Sequence, residues 1–304
     1  MMSTCARSRS SMAVAIVVFL AFMCSGTKTR AGNLFVIIAT DDGAPTIGAD
    51  MKKNSNMVIN LIKHNVPRDR SQIMKVPASS LTAATVLRFI SLLPSAADDA
   101  VLFYYSGHGA YDKAREQTYL MMSNDGAQAV LYVGQIRRSI EAKGVRFVAI
   151  VVDCCNNLRP VRGMGPIVPG EPPEDRPPKI SPAFQHLFFE PAGSVIIESS
   201  APGEYAIIRP AIQFRDPRRG IIEVHFGSLF TQIFTGVLEI PPPDDEGERL
   251  PEWSEVCRRT QEEIDNEFPD LCPGGMIPLG NRQPVAQTSQ TVTVWINDQS
   301  IQTR

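Results

Sequence analysis

The chain has 304 residues, with 30 basic against 32 acidic side chains, a formal net charge of −2, 43% apolar and 20% charged residues. That is enough chain to bury a large core in one sizeable α/β domain or two small ones, and the mixture is globular rather than disordered. The charge balance gives no ground for nucleic acid or an anionic membrane surface as partner.

Residues 1–31 read as a targeting segment. Arg7 and Arg9 precede the uncharged stretch 12–23, and the polar, small-residue stretch 24–31 follows, the n, h and c layout of a secretory signal. The apolar part is too short for a comfortable transmembrane helix. Thr29-Arg30-Ala31 offers small residues at the spacing a signal peptidase reads, so Gly32 is the expected mature start of an exported protein. The alternative is a membrane anchor formed by an uncleaved N-terminal segment. Export leaves Cys154, Cys155, Cys257 and Cys272. The last two, fifteen apart, either close a disulfide in an oxidising compartment or pack as core thiols.

The mature domain, 32–304, opens with a buried strand at 33–39, ended by turn residues 40–45. A helix at 50–64 puts Met57, Val58, Leu61 and Ile62 on one face, and a short strand follows at 72–76. Ser80 or Thr82 caps a helix with apolar positions Val86, Leu87, Ile90 and Leu93. A buried strand then runs from Val101 into Ser106-Gly107-His108-Gly109, and a hairpin strand is expected at 118–123 and a helix at 133–142. The β-branched run 147–152 ends in Asp153-Cys154-Cys155-Asn156-Asn157. Residues 160–182 hold eight prolines without periodicity and read as a long exposed loop. A strand at 193–200, a helix at 227–238, an acidic proline-rich turn at 241–248, a helix at 252–268 and an alternating edge strand at 291–296 complete the chain, residues 239–304 extending the same domain. Strands alternating with helices argue for a mainly parallel central sheet in a three-layer α/β/α sandwich. There is no internal repeat and no glycine-rich phosphate loop.

In open α/β sheets, chemistry sits beyond the carboxyl ends of strands. Here one such strand ends in His108 and another in Cys154-Cys155, which points to a thiol–imidazole pair. A thiol attacks a carbonyl as thiolate, and a neighbouring imidazole generates it and protonates the leaving amine. Of the four histidines, His64 falls in a helix and His186 and His225 near helix starts, so His108 alone occupies a strand-end glycine turn. Gly109 has no Cβ, so its N–H can approach a substrate oxyanion. Adjacent cysteines lack the two-residue spacing that lets both thiolates face one zinc, so no metal site is expected.

Tyr-Tyr-Ser-Gly-His-Gly, followed about forty-five residues later by Val-Val-Asp-Cys-Cys, resembles the caspase and metacaspase family of cysteine peptidases. The resemblance implies a caspase-like fold, a Cys-His dyad and amide-bond hydrolysis of protein or peptide substrates, with no cofactor. It implies that the nucleophile is the residue two after the aspartate, Cys155, with Cys154 pointing into the fold. Asp153 resembles the acid lining the first specificity pocket of metacaspases, and Asp50 a second such acid; together they lead to cleavage after Arg or Lys. Ser200 is taken as a further substrate contact. The chain departs from the family in Asn156-Asn157-Leu158 after the nucleophile and in a single carboxylate, Asp112, where metacaspases carry an acidic loop, which leaves calcium dependence open. The proline-rich loop, tethered next to the nucleophile, is expected to be the chain's own first substrate at Arg162 or Lys179, since proline follows Arg176. The alternative to a peptidase is a catalytically silent interaction module of the same fold. A nucleotide-binding α/β protein lacks its glycine fingerprint here.

Overall fold

The β-branched and aromatic runs of the sequence become the middle of one sheet in the computed structural model, which describes residues 32–122, 130–156, 176–216, 220–239, 250–277 and 284–301. The signal-like segment, the part of the proline-rich loop that holds Arg162, and the turn 241–248 lie outside those residues. Strands β1 (Leu34–Thr40), β3 (Ala100–Gly107) and β7 (Phe147–Cys154) are buried along their whole length. Strands of this kind require cover on both faces. β1 pairs with β2 (Ser71–Val76) and β3, β3 with β7, and β7 with β8 (Gly193–Glu198), all parallel.

Two further strands close the sheet. β13 (Thr293–Ile296) runs antiparallel to β8, and β14 (Gln299–Ile301) antiparallel to β13. The stretch expected as an edge strand is therefore interior, and the edge is β14. The reason is local: Asn297 and Asp298 both adopt positive φ, 48° and 67°, turning the chain tightly enough for three more residues to pair back.

Side-chain alternation along the strands divides the domain into two faces. On one, Phe103, Tyr105, Ile150, Val152 and Cys154 share a core with Val86 and Ile90 of α2 (Ala83–Ser91) and with Ile136 and Ile140 of α3 (Val133–Glu141). The Thr82 hydroxyl accepts from the Thr85 amide at 3.0 Å and caps α2. A three-stranded antiparallel sheet of β4 (Gly109–Asp112), β5 (Gln117–Met121) and β6 (Val130–Tyr132) covers the same face, contributing Leu120 and Leu131. On the other face lie α1 (Gly48–Asn65), α4 (Leu229–Glu239) and α5 (Trp253–Leu271), α4 packing on both α1 and α5. There the Tyr104 hydroxyl meets that of Thr231 at 2.6 Å, and Trp253 stacks on Phe147 with ring centroids 6.3 Å apart. Two small hairpins, β9 (Ile212–Asp216) with β10 (Gly220–Val224) and β11 (Met276–Ile277) with β12 (Val285–Ala286), were not expected.

Cys257 and Cys272 are both buried and both free thiols. The disulfide alternative fails on geometry: fifteen residues of α5 separate them by about 22 Å at 1.5 Å per residue, far beyond the reach of a disulfide. They are core residues.

Candidate active site

The two strand ends singled out in the sequence are neighbours in the sheet. Gly107 of β3 stands opposite Cys154 of β7, so His108 and Cys155 each follow one residue past the last registered pair. Counting along the strands puts Ser106, His108, Asp153 and Cys155 on the α1/α4 side, and Tyr105, Gly107 and Cys154 on the other. Cys154 is 2% exposed and belongs to the core, whereas Cys155 is half-buried, its Sγ 4.0 Å from the Ala206 carbonyl oxygen. Burial, with the charge of Asp153 adding to it, pushes the Cys155 thiol up to about 11. At rest it is a thiol, and a base must take its proton.

Both glycines around His108 answer to close packing. A Cβ on Gly107 would lie 2.7 Å from the Tyr105 hydroxyl and 2.8 Å from the Asp41 Cβ; one on Gly109 would run into the Cys154 side chain and stand 3.0 Å from the Tyr119 oxygen. The Tyr105 hydroxyl, fully buried, lies 2.7 Å from the His108 carbonyl oxygen and 3.0 Å from that of Met121, and so ties the histidine turn to β5. The Met121 amide donates to the His108 carbonyl at 2.9 Å. That bond makes Gly109 and Leu120 a non-hydrogen-bonded pair, which directs the Gly109 N–H away from β5.

The turn that carries Cys155 is held on both sides. The Ser200 hydroxyl donates to the Cys154 carbonyl at 2.9 Å and accepts from the Asn156 amide at 3.1 Å. Ser200 is completely buried, so in this conformation it holds the turn that carries Cys155 rather than presenting itself to a substrate. The Asn156 amide also donates to the Glu204 carbonyl at 3.0 Å, and its side-chain NH2 reaches the Ser200 carbonyl and Glu198 Oε2, the latter at 3.3 Å. Glu198 accepts a second bond from Thr118 at 2.8 Å, and burial pushes its carboxyl up to about 7.

Asp153 is 3% exposed beneath the Cys155 side of the sheet. Its Oδ2 accepts from Asn54 at 3.3 Å and from the hydroxyls of Ser228 and Thr231, all neutral donors, and burial raises its pKa despite them. Asp50 belongs to the same cluster: it accepts from the Gly227 amide at 3.1 Å and pairs with His225 Nδ1 at 3.1 Å, while Asn54 links both sides through Ser228 and Ser106.

Lys179 is exposed but is not brought near Cys155. Arg176 bonds Ser71 at 2.7 Å and the Ser181 hydroxyl bonds Asn65 at 2.7 Å, both at the end of the sheet where β2 begins. Eight residues of β7 separate that end from Cys155, roughly 25 Å at 3.3 Å each.

Tyr105, Asn156, Glu198, Asn54 and Ser228 were not foreseen as parts of the site. Tyr105 and Asn156 stood in the two motif stretches without a role of their own, and Asn54 and Ser228 stood outside any motif; a glutamate ending an otherwise apolar strand, 193–198, was the one signal of a special place at Glu198. Among the described residues no group of three or more His, Cys, Asp or Glu side chains is arranged to hold a metal ion.

A mainly parallel α/β sheet thus brings a thiol and an imidazole to neighbouring strand ends. The caspase-domain model of peptidase family C14 matches residues 70–290. The chain belongs to that family. No curated protein matches it.

Proposed function

We propose that this protein is an exported cysteine endopeptidase that hydrolyses peptide bonds after Arg or Lys. One observation carries the reading above the others: in a chain of the caspase family, a half-buried Cys155 follows β7 directly beside the strand that ends in His108. In the proposed reaction His108 takes the thiol proton as Sγ bonds to the scissile carbonyl carbon. The N–H groups of Gly109 and Cys155 receive the oxyanion. The C–N bond then breaks, His108 passes the proton to the departing amine, and an acyl-enzyme remains. Water, giving a proton to His108, releases the carboxylate and restores the thiol.

The preference for Arg or Lys draws on Asp153 and Asp50, two buried carboxylates on the Cys155 side, of which Asp153 accepts from neutral donors and a guanidinium would supply its counter-charge. The test is a panel of fluorogenic peptides differing only before the scissile bond, given to wild type and Cys155→Ala. Basic substrates cut by the wild type alone support the reading; fastest cleavage of acidic ones overturns the specificity, and activity in Cys155→Ala overturns the nucleophile. Adding and chelating calcium in the same assay decides that dependence, and N-terminal sequencing of the exported protein decides cleavage before Gly32.

Self-cleavage falls to Arg162, seven residues past Cys155, since Lys179 would need its anchored segment to leave the far end of the sheet. Fragments appearing equally in wild type and Cys155→Ala on incubation would refute it. A second reading, a silent interaction module, draws on the Cys155 thiol's pKa of about 11. Covalent capture of Cys155 by a peptide-based electrophile, dependent on His108, argues against that reading.

A further inference from the structure

A cavity of about 410 Å³ opens between the β4–β5 hairpin, α3 and the β8–β13 edge, on the face opposite Asp153. Its deepest charge is Glu198, 4% exposed. Glu198 uses only one oxygen for the protein, Oε2, which accepts from Thr118 and Asn156; Oε1 takes no hydrogen bond among the described residues. The half-buried rings of Tyr111 and Trp295 line the same space, and neither the phenol nor the indole N–H is hydrogen-bonded among the described residues. Arg137, which also lines it, is already committed to Asp298 and Glu141. At the rim stand the exposed Glu116 and Arg138, of opposite charge. What remains is a buried carboxyl with one unused oxygen in a space that two aromatic rings also line.

We propose that this cavity is a binding site for a small organic cation, a guanidinium or primary ammonium on a short chain, with Glu198 as its counter-ion and Trp295 and Tyr111 as its walls. A cation between ring faces and a desolvated carboxylate gains from both, more than it would in water. Burial makes the charge costly there and holds the Glu198 carboxyl at about 7. A bound cation favours the ionised form, and a group half-protonated at pH 7 then releases about half a proton. The occupant also bears on the nucleophile: the same carboxylate holds the side chain of Asn156, the residue after Cys155. This site is separate from the Asp153 cluster and does not depend on the peptidase reading.

The experiment is titration calorimetry of the full chain with agmatine at pH 7 in two buffers of different ionisation enthalpy. Expected are saturable binding, a heat that differs between buffers by the release of about half a proton, and loss of that difference at pH 8.5. Glu198→Gln should remove the buffer-dependent heat and weaken its binding phase by about tenfold or more, and Trp295→Ala should weaken the same phase, while Asp153→Asn leaves that phase intact, whatever agmatine the Asp153 cluster also takes up. Agmatine should also change the rate at which iodoacetamide alkylates Cys155. No binding, or equal heats in both buffers at pH 7, overturns the site without reference to any variant's folding. Binding lost in Asp153→Asn but kept in Glu198→Gln moves the cation to the other face and overturns it as well, and an unchanged alkylation rate overturns the link to Cys155.

Discussion

Alkylation of Cys155 by iodoacetamide should be slow at neutral pH and should climb steeply with alkalinity. Burial raises the thiol from 9.0 to about 11, which leaves about a hundredfold less thiolate at pH 7 than an unperturbed thiol would have. Only the thiolate reacts, so the rate should increase about tenfold per pH unit from pH 7 to pH 10 and bend near 11. Mass spectrometry of quenched aliquots gives the rate at each pH and the modified residue. Cys154→Ala should leave the profile in place, because Cys154 is sealed in the core; Cys155→Ala should abolish it. A rate that is already high and flat between pH 6 and pH 8 would show a preformed thiolate–imidazolium pair and refute a resting thiol that waits for substrate before giving its proton to His108.

The other expectations concern the groups around that thiol. His108→Ala and Cys155→Ala should each remove peptidase activity, and the double variant should be no worse than either, since paired groups act as a unit; additive losses would separate them. Gly109→Ala, whose new Cβ would stand 2.9 Å from the Cys154 Cβ, should lower stability by about 1–3 kcal/mol in urea unfolding and lower kcat as well. Ser200→Ala removes the hydroxyl that joins the Cys154 carbonyl to the Asn156 amide; a cost of about 1–3 kcal/mol should come with a fall in kcat at nearly unchanged KM. Glu198 binds its proton more tightly folded than unfolded, 4.5 rising to about 7. Its contribution to stability is therefore full below pH 4.5 and is lost as pH rises to 7, by about 3 kcal/mol. Denaturant titrations across that window should show the decline in wild type and a flatter profile in Glu198→Gln.

Much of this arrangement was legible in the residues. Continuous β-branched runs gave the buried strands β1, β3 and β7, and the glycines around His108 marked a place of close backbone approach. Cys155 over Cys154 rested on the family resemblance, and of the two the structure seals Cys154 in the core and leaves Cys155 half-buried. The parts that escaped are contacts made across long sequence distances. Nothing local in Tyr105 says that its hydroxyl will reach the Met121 carbonyl, 16 residues on, and nothing in Ser228 or Thr231 says that they will meet Asp153, 75 and 78 residues earlier. The edge-strand expectation for 291–296 failed because alternation reports which face is buried, not how many neighbours a strand has. The Cys257–Cys272 alternative was open only until the intervening residues were seen to be one helix.

The two adjacent cysteines belong to opposite faces of the sheet, and that geometry has a redox consequence. Thiol switches recover from oxidation when a resolving cysteine condenses with the sulfenic acid. Cys154 cannot serve, since its side chain is sealed in the core against Gly109 while the sulfur of Cys155 lies toward Ala206. Cys257 and Cys272 are buried in and after α5. An oxidised Cys155 therefore has no second thiol of the described chain positioned to rescue it, and must be capped and reduced by a thiol from outside or pass on to the irreversible acids.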